Sequence, residues 1–514
     1  MRFSPARMAK LAAAGALMAA IEPFLAERRM RSDRRPAEVW SPPRGEGYLI
    51  RNAEIVDVLT GAVLHRRGIL VRDGRIEDIL TEKKAAEIGG MTSLDAGGRF
   101  VIPGLINAHC HMILTSTLRF GPQVVSAAVR QFERNFEECI THGVTTVRDV
   151  GTLPLQMRRF MEAVEGGRLL GPRVVHAGSF INAPGGYPDF LPPLPGPVAR
   201  KVGEFGFAVR TPAEAVEAVE RNAELGASFI KTAFDDRSLF VGQKPLNILD
   251  DASLRALVEA AHARGMKVSV HHRFRRGFQR ALEFGVDGLE HLPSDQLLEA
   301  REVEEFTAGE RFIVPTVQVG WALCGASHAD PYLDHPLVRQ ALAHRLEVVR
   351  TLYPAMCEPA IHRELLRFEK RYRDPGYTER KHLLFTLDPK IFTEALVNGQ
   401  ENLNRLYHAG ALIGCGNDGG TPQGFPGGLG VEMVLMEFAT DMTPLHVLQA
   451  ATINNARILG MEDDLGTVAK GKLADLVLLH GNPLENMENV LFPAAVFKEG
   501  RLLYATHNPE MVPA

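Results

Sequence analysis

The run Ala252-Ser-Leu-Arg-Ala-Leu-Val-Glu-Ala-Ala-His-Ala-Arg264, then Gly265, then Lys267-Val-Ser-Val-His271 sets the reading of the whole chain. A helical stretch passes through a glycine into a short apolar run that ends on a polar side chain. The pattern recurs. Pro212 to Leu225 leads through Gly226 to Phe229-Ile-Lys231, and Phe278 to Phe284 leads through Gly285 to Asp287-Gly-Leu-Glu-His291. Phe312-Ile-Val-Pro-Thr316 and Leu412-Ile-Gly-Cys-Gly-Asn-Asp418 continue the series. Helix, glycine, strand, polar residue is the rhythm of β/α units built on a parallel sheet. Eight such units close into a (β/α)8 TIM barrel, whose active sites lie at the C-terminal ends of the strands. The fold class is therefore read as α/β, and the polar residues closing each run mark the rim where chemistry is expected.

Outward from this core, both ends of the chain change style. Between Gly47 and Asp95 the runs are short and strand-like, broken by turn pairs at Thr60-Gly61 and Asp73-Gly74, and they read as hairpins. Ala474-Asp-Leu-Val-Leu-Leu479 and Ala494-Ala-Val-Phe-Lys-Glu-Gly-Arg-Leu-Leu-Tyr504 repeat that style. The expected organisation is a small β-sandwich domain from residues 47–103 plus 462–514, around a barrel domain over 104–461. Near 321–399 the chain is charged and rich in His, Pro and Tyr, and it reads as a helical insertion between the seventh and eighth strands. Insertions of this length are packing decoration, a lid or a dimerisation element. Residues 1–46 form an N-terminal extension in which Arg2, Arg7 and Lys10 precede the apolar run Leu11 to Ile21, interrupted by Glu22-Pro23. The run is too short to span a bilayer, and the arginines after it disfavour export. A short amphipathic or surface helix is expected, with a signal peptide as the alternative.

Apolar residues make up 45% of the 514 and charged residues 23%, the balance of a globular protein with a sizeable core. A net charge of -4 gives no reason to expect nucleic acid as a partner. Cys110, Cys139, Cys324, Cys357 and Cys415 are odd in number and lack paired zinc spacing, which fits reduced thiols in a cytoplasm. A small-molecule substrate, no stable membrane span and a homo-oligomeric state are expected. His109 and His111 close the run Val101-Ile-Pro-Gly-Leu-Ile-Asn-Ala-His-Cys-His111. Alternate residues of a strand share a face, so these two imidazoles can converge on one cation.

These motifs resemble the amidohydrolase superfamily, in its branch of prolidase-like and imidazolonepropionase-like metal hydrolases. The resemblance runs from Tyr48 to Tyr504 and rests on four stretches in the family's order. They are the His109-Cys-His111 run, Gly143-Val-Thr-Thr-Val-Arg-Asp-Val-Gly151, Gly285-Val-Asp-Gly-Leu-Glu-His291, and Ala451-Thr-Ile-Asn-Asn-Ala-Arg-Ile-Leu-Gly460 with Gly471-Lys-Leu-Ala-Asp-Leu-Val-Leu478. Position by position, the resemblance implies metal ligands at His109, His111, Lys231, His271, His291 and Asp418. His272, beside His271, is a candidate partner of the ligands or a structural residue.

Hydrolysing an amide near neutral pH needs a hydroxide, and two divalent cations about 3.5–4 Å apart can bridge one and bring its pKa to roughly neutral. Neutral imidazole and carboxylate suit such ions. A lysine ammonium has no lone pair to offer. The family carboxylates that lysine to a carbamate, so the resemblance implies N6-carboxylysine at Lys231 bridging two ions, zinc being the expected metal. His109, His111 and Asp418 would then hold one ion, and His271 and His291 the other. Asp418 would also accept the proton of the nucleophile and deliver it to the leaving nitrogen.

Two pocket positions depart from the family. Where a tyrosine or histidine usually follows the fifth-strand ligand by two residues, this chain has Arg273, which can grip a carboxylate through two parallel hydrogen bonds or simply belong to a basic loop. The glycine-rich loop Asn182-Ala-Pro-Gly-Gly-Tyr-Pro188 carries Tyr187 where histidine is usual. The expected activity is cleavage of a C–N bond in a carboxylate-bearing small substrate, an N-acyl amino acid or dipeptide. A Xaa-Pro dipeptidase, a lactone, ester or phosphotriester hydrolase, and a non-catalytic metal-binding scaffold are the alternatives. Ring-opening and deaminating relatives usually bind a single metal and lack the bridging lysine, so Lys231 argues against them.

Overall fold

Asp73 and Gly74, both at positive φ (49° and 76°), reverse the chain so tightly that Arg72 pairs with Arg75 across the turn. The flanking strands, Val63–Arg72 and Arg75–Thr81, continue from Tyr48–Val56 into an eight-stranded sheet. The far end of the chain supplies Leu476–Leu479, Ala495–Lys498 and Arg501–Ala505, joined where Leu476–Leu479 runs antiparallel to Phe100–Pro103. Hydrogen bonding carries these strands along one continuous sheet path, with Thr92–Asp95 paired beside Tyr48–Val56. Period-two alternation lets one strand serve two cores. Leu476 and Leu478 pack with Tyr48, Ile50 and Phe497, whereas Val477 and Leu479 enter the main core.

The computed structural model describes residues 40–506 apart from 44, 118–121, 189–195, 239–243, 325–331, 333, 373–388 and 422–423. The helix expected near Leu11 to Ile21 therefore lies outside the described residues. No described helix is long and apolar enough to cross a membrane.

The middle of the chain builds parallel strands. Leu105–Cys110, Val144–Asp149 and Arg173–His176 form a three-stranded set. Ile230–Ala233, Val268–His271, Gly288–Glu290, Phe312–Val314 and Leu412–Ile413 form a five-stranded set. The sets meet on one side through Ala108 N to Cys415 O (3.0 Å), Asp418 N to His109 O (2.8 Å) and His111 N to Gly419 O (2.7 Å). On the other side Ser228 N donates to His176 O at 2.9 Å. The result is a mixed α/β fold with several parallel strand sets.

The helices between these strands follow the quoted rhythm. Asp250 caps Asp251–His262 by accepting from Ser253 N at 2.9 Å, and Leu254, Leu257, Val258 and Ala261 form its buried face. The next helix, Arg275–Glu283, begins three residues before the expected Phe278. Its N-cap is Phe274, which makes no side-chain cap hydrogen bond, so the sequence carries no start signal there. Between Phe312–Val314 and Leu412–Ile413 lie the helices Val317–Leu323, Pro336–Thr351, Tyr353–Met356, Pro359–Tyr372 and Pro389–His408. Arg345, fully buried, pairs with Glu369 at 2.9 Å and donates to the carbonyls of Trp321, Ala322 and Cys324. That arginine ties the end of Val317–Leu323 to the longer helices of the insertion.

Candidate metal centre

Strand alternation sends His109 and His111 to one face and Cys110 to the other, where its thiol meets Arg148 O at 3.8 Å. Each histidine is gripped from outside through Nδ1. His109 Nδ1 lies 2.7 Å from Glu290 Oε2, and His111 Nδ1 donates to Gly151 O at 2.9 Å. Both Nε2 atoms stand 3.4 Å from Asp418 Oδ1. The ligand atoms of His109, His111 and Asp418 all fall within 4.8 Å of one another, a group able to hold a metal ion. Asp418 sits at φ 51°, and the chain after it passes very close to its neighbours. A Cβ on Gly420 would fall 2.0 Å from His111 O, and one on Gly419 2.4 Å from Phe425 C, so only glycine fits at either position.

The other candidates lie beside this group. The His109 and His291 rings are 4.8 Å apart between centroids, and the His291 and His271 rings 4.5 Å. His291, at φ 72°, places Nδ1 2.6 Å from Thr316 Oγ1. His271 places Nε2 2.9 Å from Asp235 Oδ2. All four imidazoles thus have one nitrogen fixed by an outer partner, which sets ring orientation and leaves the other nitrogen for a ligand. Lys231 is 1% exposed, and its Nζ finds no hydrogen-bond partner among the described residues, with Glu290 Oε1 4.0 Å away. Burial pulls the Lys231 pKa down to about 8, against the raising effect of Glu290. Asp418 Oδ1 likewise has no hydrogen-bond partner of good geometry. Burial alone would raise the Asp418 pKa, but His109 and His111 outweigh it and hold the carboxyl well below the ordinary range. An unsatisfied carboxylate oxygen on Asp418 beside the His109 and His111 rings is what a bound cation would complete.

His272 points elsewhere. Its Nδ1 meets Glu290 O at 3.1 Å, and its ring packs toward Phe278 beneath Gly277, so it serves the contact with the Arg275–Glu283 helix. Arg273 is 5% exposed, its Nε is buried without a hydrogen bond, and no carboxylate pairs with it among the described residues. Its charge lowers the pKa of both His271 and His291, in addition to the lowering by burial. Tyr187 lies flat against His271, with centroids 3.9 Å apart and planes 13° from parallel.

Sequence reasoning missed the residues that hold these groups in place. Glu290 accepts from Arg148 Nη1 at 2.7 Å on the side away from His109, and Arg148 also donates to Ser269 Oγ and Ala108 O. Asp149 carries the turn after His111 by accepting from Met112 N and Gly151 N. Burial lifts the Asp149 pKa to about 6. Asp235 and Thr316 orient the second histidine pair. The available signal was a charged residue inside each apolar strand run, Arg148 in one and Glu290 in another, with opposite signs and complementary lengths.

The profile of the amidohydrolase family matches residues 100–503. The chain belongs to that family. An uncharacterised protein of Mycobacterium tuberculosis is 26% identical over 219 residues, which is 43% of this chain and 50% of that protein, so the chain spans about half the length of this curated relative. A 5-methylthioadenosine/S-adenosylhomocysteine deaminase of Symbiobacterium thermophilum is 21% identical over 452 residues, 84% of this chain and 85% of the deaminase. Among solved structures, a Xaa-Pro dipeptidase with methionine bound in its active site superposes with a TM-score of 0.65 at 23% identity, covering 90% of this chain and all of that one. At that identity the likeness speaks for the amidohydrolase fold alone.

Proposed function

We propose that this amidohydrolase-family chain is a metal-dependent hydrolase that cleaves a C–N bond in a carboxylate-bearing small substrate, an N-acyl amino acid or a dipeptide. The observation that carries the reading is the set of four imidazoles, each fixed through one nitrogen from outside, around the unsatisfied Asp418 Oδ1 and Lys231 Nζ. In this reading the three- and five-stranded sets are the eight strands of a closed barrel over residues 104–461, and residues 47–103 plus 462–514 form the second domain. His109, His111 and Asp418 would hold one ion, His271 and His291 the other, and Lys231, if carboxylated, would supply an anionic oxygen ligand to them.

Two divalent cations, zinc for preference, would when bound supply a water of near-neutral pKa and polarise the scissile carbonyl. The chain's own residues do the rest. Asp418 takes the proton of the attacking water as its oxygen bonds to the carbonyl carbon, then passes that proton to the nitrogen as the C–N bond breaks. The buried pair of Arg148 and Glu290 keeps His109 from turning. Tyr187 shields the outer face of the His271 ring. Arg273, buried and unpaired among the described residues, receives the substrate carboxylate, because a cation buried at that cost needs an anion.

Metal analysis of the purified protein, followed by a panel of N-acyl amino acids and dipeptides with zinc-loaded protein, tests the reading. Two equivalents of metal and turnover of amides are expected. Turnover confined to esters, lactones or phosphotriesters would reject the C–N assignment.

A further inference from the structure

Asp235 stands four residues after Lys231, is 1% exposed, and divides its carboxylate between two neighbours. Oδ2 lies 2.9 Å from His271 Nε2, and Oδ1 accepts from the backbone N–H of Arg273 at 2.8 Å. A carboxylate only accepts, so His271 must donate from Nε2 and keep its Nδ1 lone pair free. The same group fixes the chain position of Arg273, the residue assigned above to the substrate carboxylate.

We propose that Asp235 is the positioning residue that sets the His271 tautomer for metal binding and, through the Arg273 backbone, holds the carboxylate-gripping arginine in register with the second ion. The proposal rests on the assignment of His271 as a metal ligand. It makes an unusual claim about two substitutions. Asp235→Asn keeps the shape, but its single carbonyl oxygen must serve the Arg273 N–H, whose only recorded acceptor among the described residues is this side chain. The amide NH2 then faces His271 Nε2, which must become an acceptor, so the imidazole proton moves to Nδ1 and blocks the ligand lone pair. Asp235→Ala leaves His271 free to adopt either tautomer.

The test titrates Zn2+ alone into metal-free, full-length protein against a competing chelator, with circular dichroism and thermal unfolding as checks on folding. The unsubstituted protein should bind two equivalents. Asp235→Asn should weaken one of the two by about 10- to 100-fold, the range found when a ligand's outer partner is lost. Asp235→Ala should weaken the same site by less, although it is the more disruptive change in packing. That order is one a purely structural role would not produce. Equal affinity in Asp235→Asn and the parent overturns the proposal, as does an alanine variant weaker than the asparagine one. If Asp235→Asn does not fold, Asp235→Ala decides alone: it must bind one ion more weakly than the parent. Fewer than two equivalents in the parent would bring down the two-ion reading itself, a failure distinguishable from that of Asp235.

Discussion

Replacing Lys231 by methionine should stabilise the metal-free protein while destroying its capacity to hold two ions. The Lys231 ammonium is buried without a hydrogen-bond partner, and its pKa falls from 10.5 to about 8. Between those two values the unfolded chain binds more protons at this residue than the folded one, so stability rises with pH across that window. Below pH 8 the whole cost is present: the difference, 10.5 − 8, is 2.5 pH units, or about 3 kcal/mol at 1.36 kcal/mol per unit. At about pH 9.5 the folded lysine is already neutral and the unfolded one still mostly charged, which leaves a cost of about 1 kcal/mol. Methionine fills a similar volume without charge. The variant should therefore be more stable by about 3 kcal/mol near pH 7, and by only about 1 kcal/mol near pH 9.5.

The assay is urea unfolding of chelator-treated, CO2-depleted protein at the two pH values, followed by fluorescence, with metal content measured on reloaded samples. A Lys231→Met protein that is less stable than the parent, or whose advantage does not shrink at the higher pH, would refute the reasoning. A residue whose removal stabilises the fold is one retained for something other than stability.

Glu290→Gln should cost about 3–5 kcal/mol, because it leaves Arg148, with a side chain only 3% exposed, as an uncompensated buried charge. Removing both charges together, as Glu290→Leu with Arg148→Met, should cost less than Glu290→Gln alone, which denaturant unfolding reads directly. Asp418→Asn should retain metal in elemental analysis while lowering turnover by about 10²- to 10⁴-fold, the contribution typical of a proton-transferring group. Arg273→Met should raise KM for substrates with a free carboxylate and leave KM unchanged for the same substrates capped as methyl esters; equal changes for both would place the arginine elsewhere.

Much of the parallel-strand framework was legible because its signals are local. Glycine after a helical stretch, a short apolar run and a closing polar residue are all written within about twenty residues, and they located the strands Ile230–Ala233, Val268–His271, Gly288–Glu290 and Leu412–Ile413. The start of Arg275–Glu283 was not legible, since its cap position is a phenylalanine and tertiary packing of Phe278, Ala281 and Leu282 sets the helix instead. The single sheet path shared by both chain ends depends on Leu476–Leu479 meeting Phe100–Pro103, a pairing across more than 370 residues that no local pattern encodes.

What escaped at the site has a different cause. Glu290, Arg148, Asp149 and Asp235 act on the candidate ligands through contacts between strands, so the partner of each lies far away in the chain. Their residue types were visible, but which atom each would grip depends on strand neighbours. The backbone tells the same story. His291, Thr316 and Asp418 all adopt positive φ, 72°, 50° and 51°, where a side chain costs about 1–3 kcal/mol each. Nothing in the identity of a histidine or threonine foretells that conformation. It persists because Asp418 N is held by His109 O, His291 N by Val314 O, and the helix that follows Thr316 begins on the Glu432 carboxylate. Three strained residues in the segments that follow three strands, each pinned by a neighbouring element, turn the His291 and Asp418 side chains in toward His109. A chain that merely ended its strand there would relax, so the strain is held in place by the packing of these neighbouring elements.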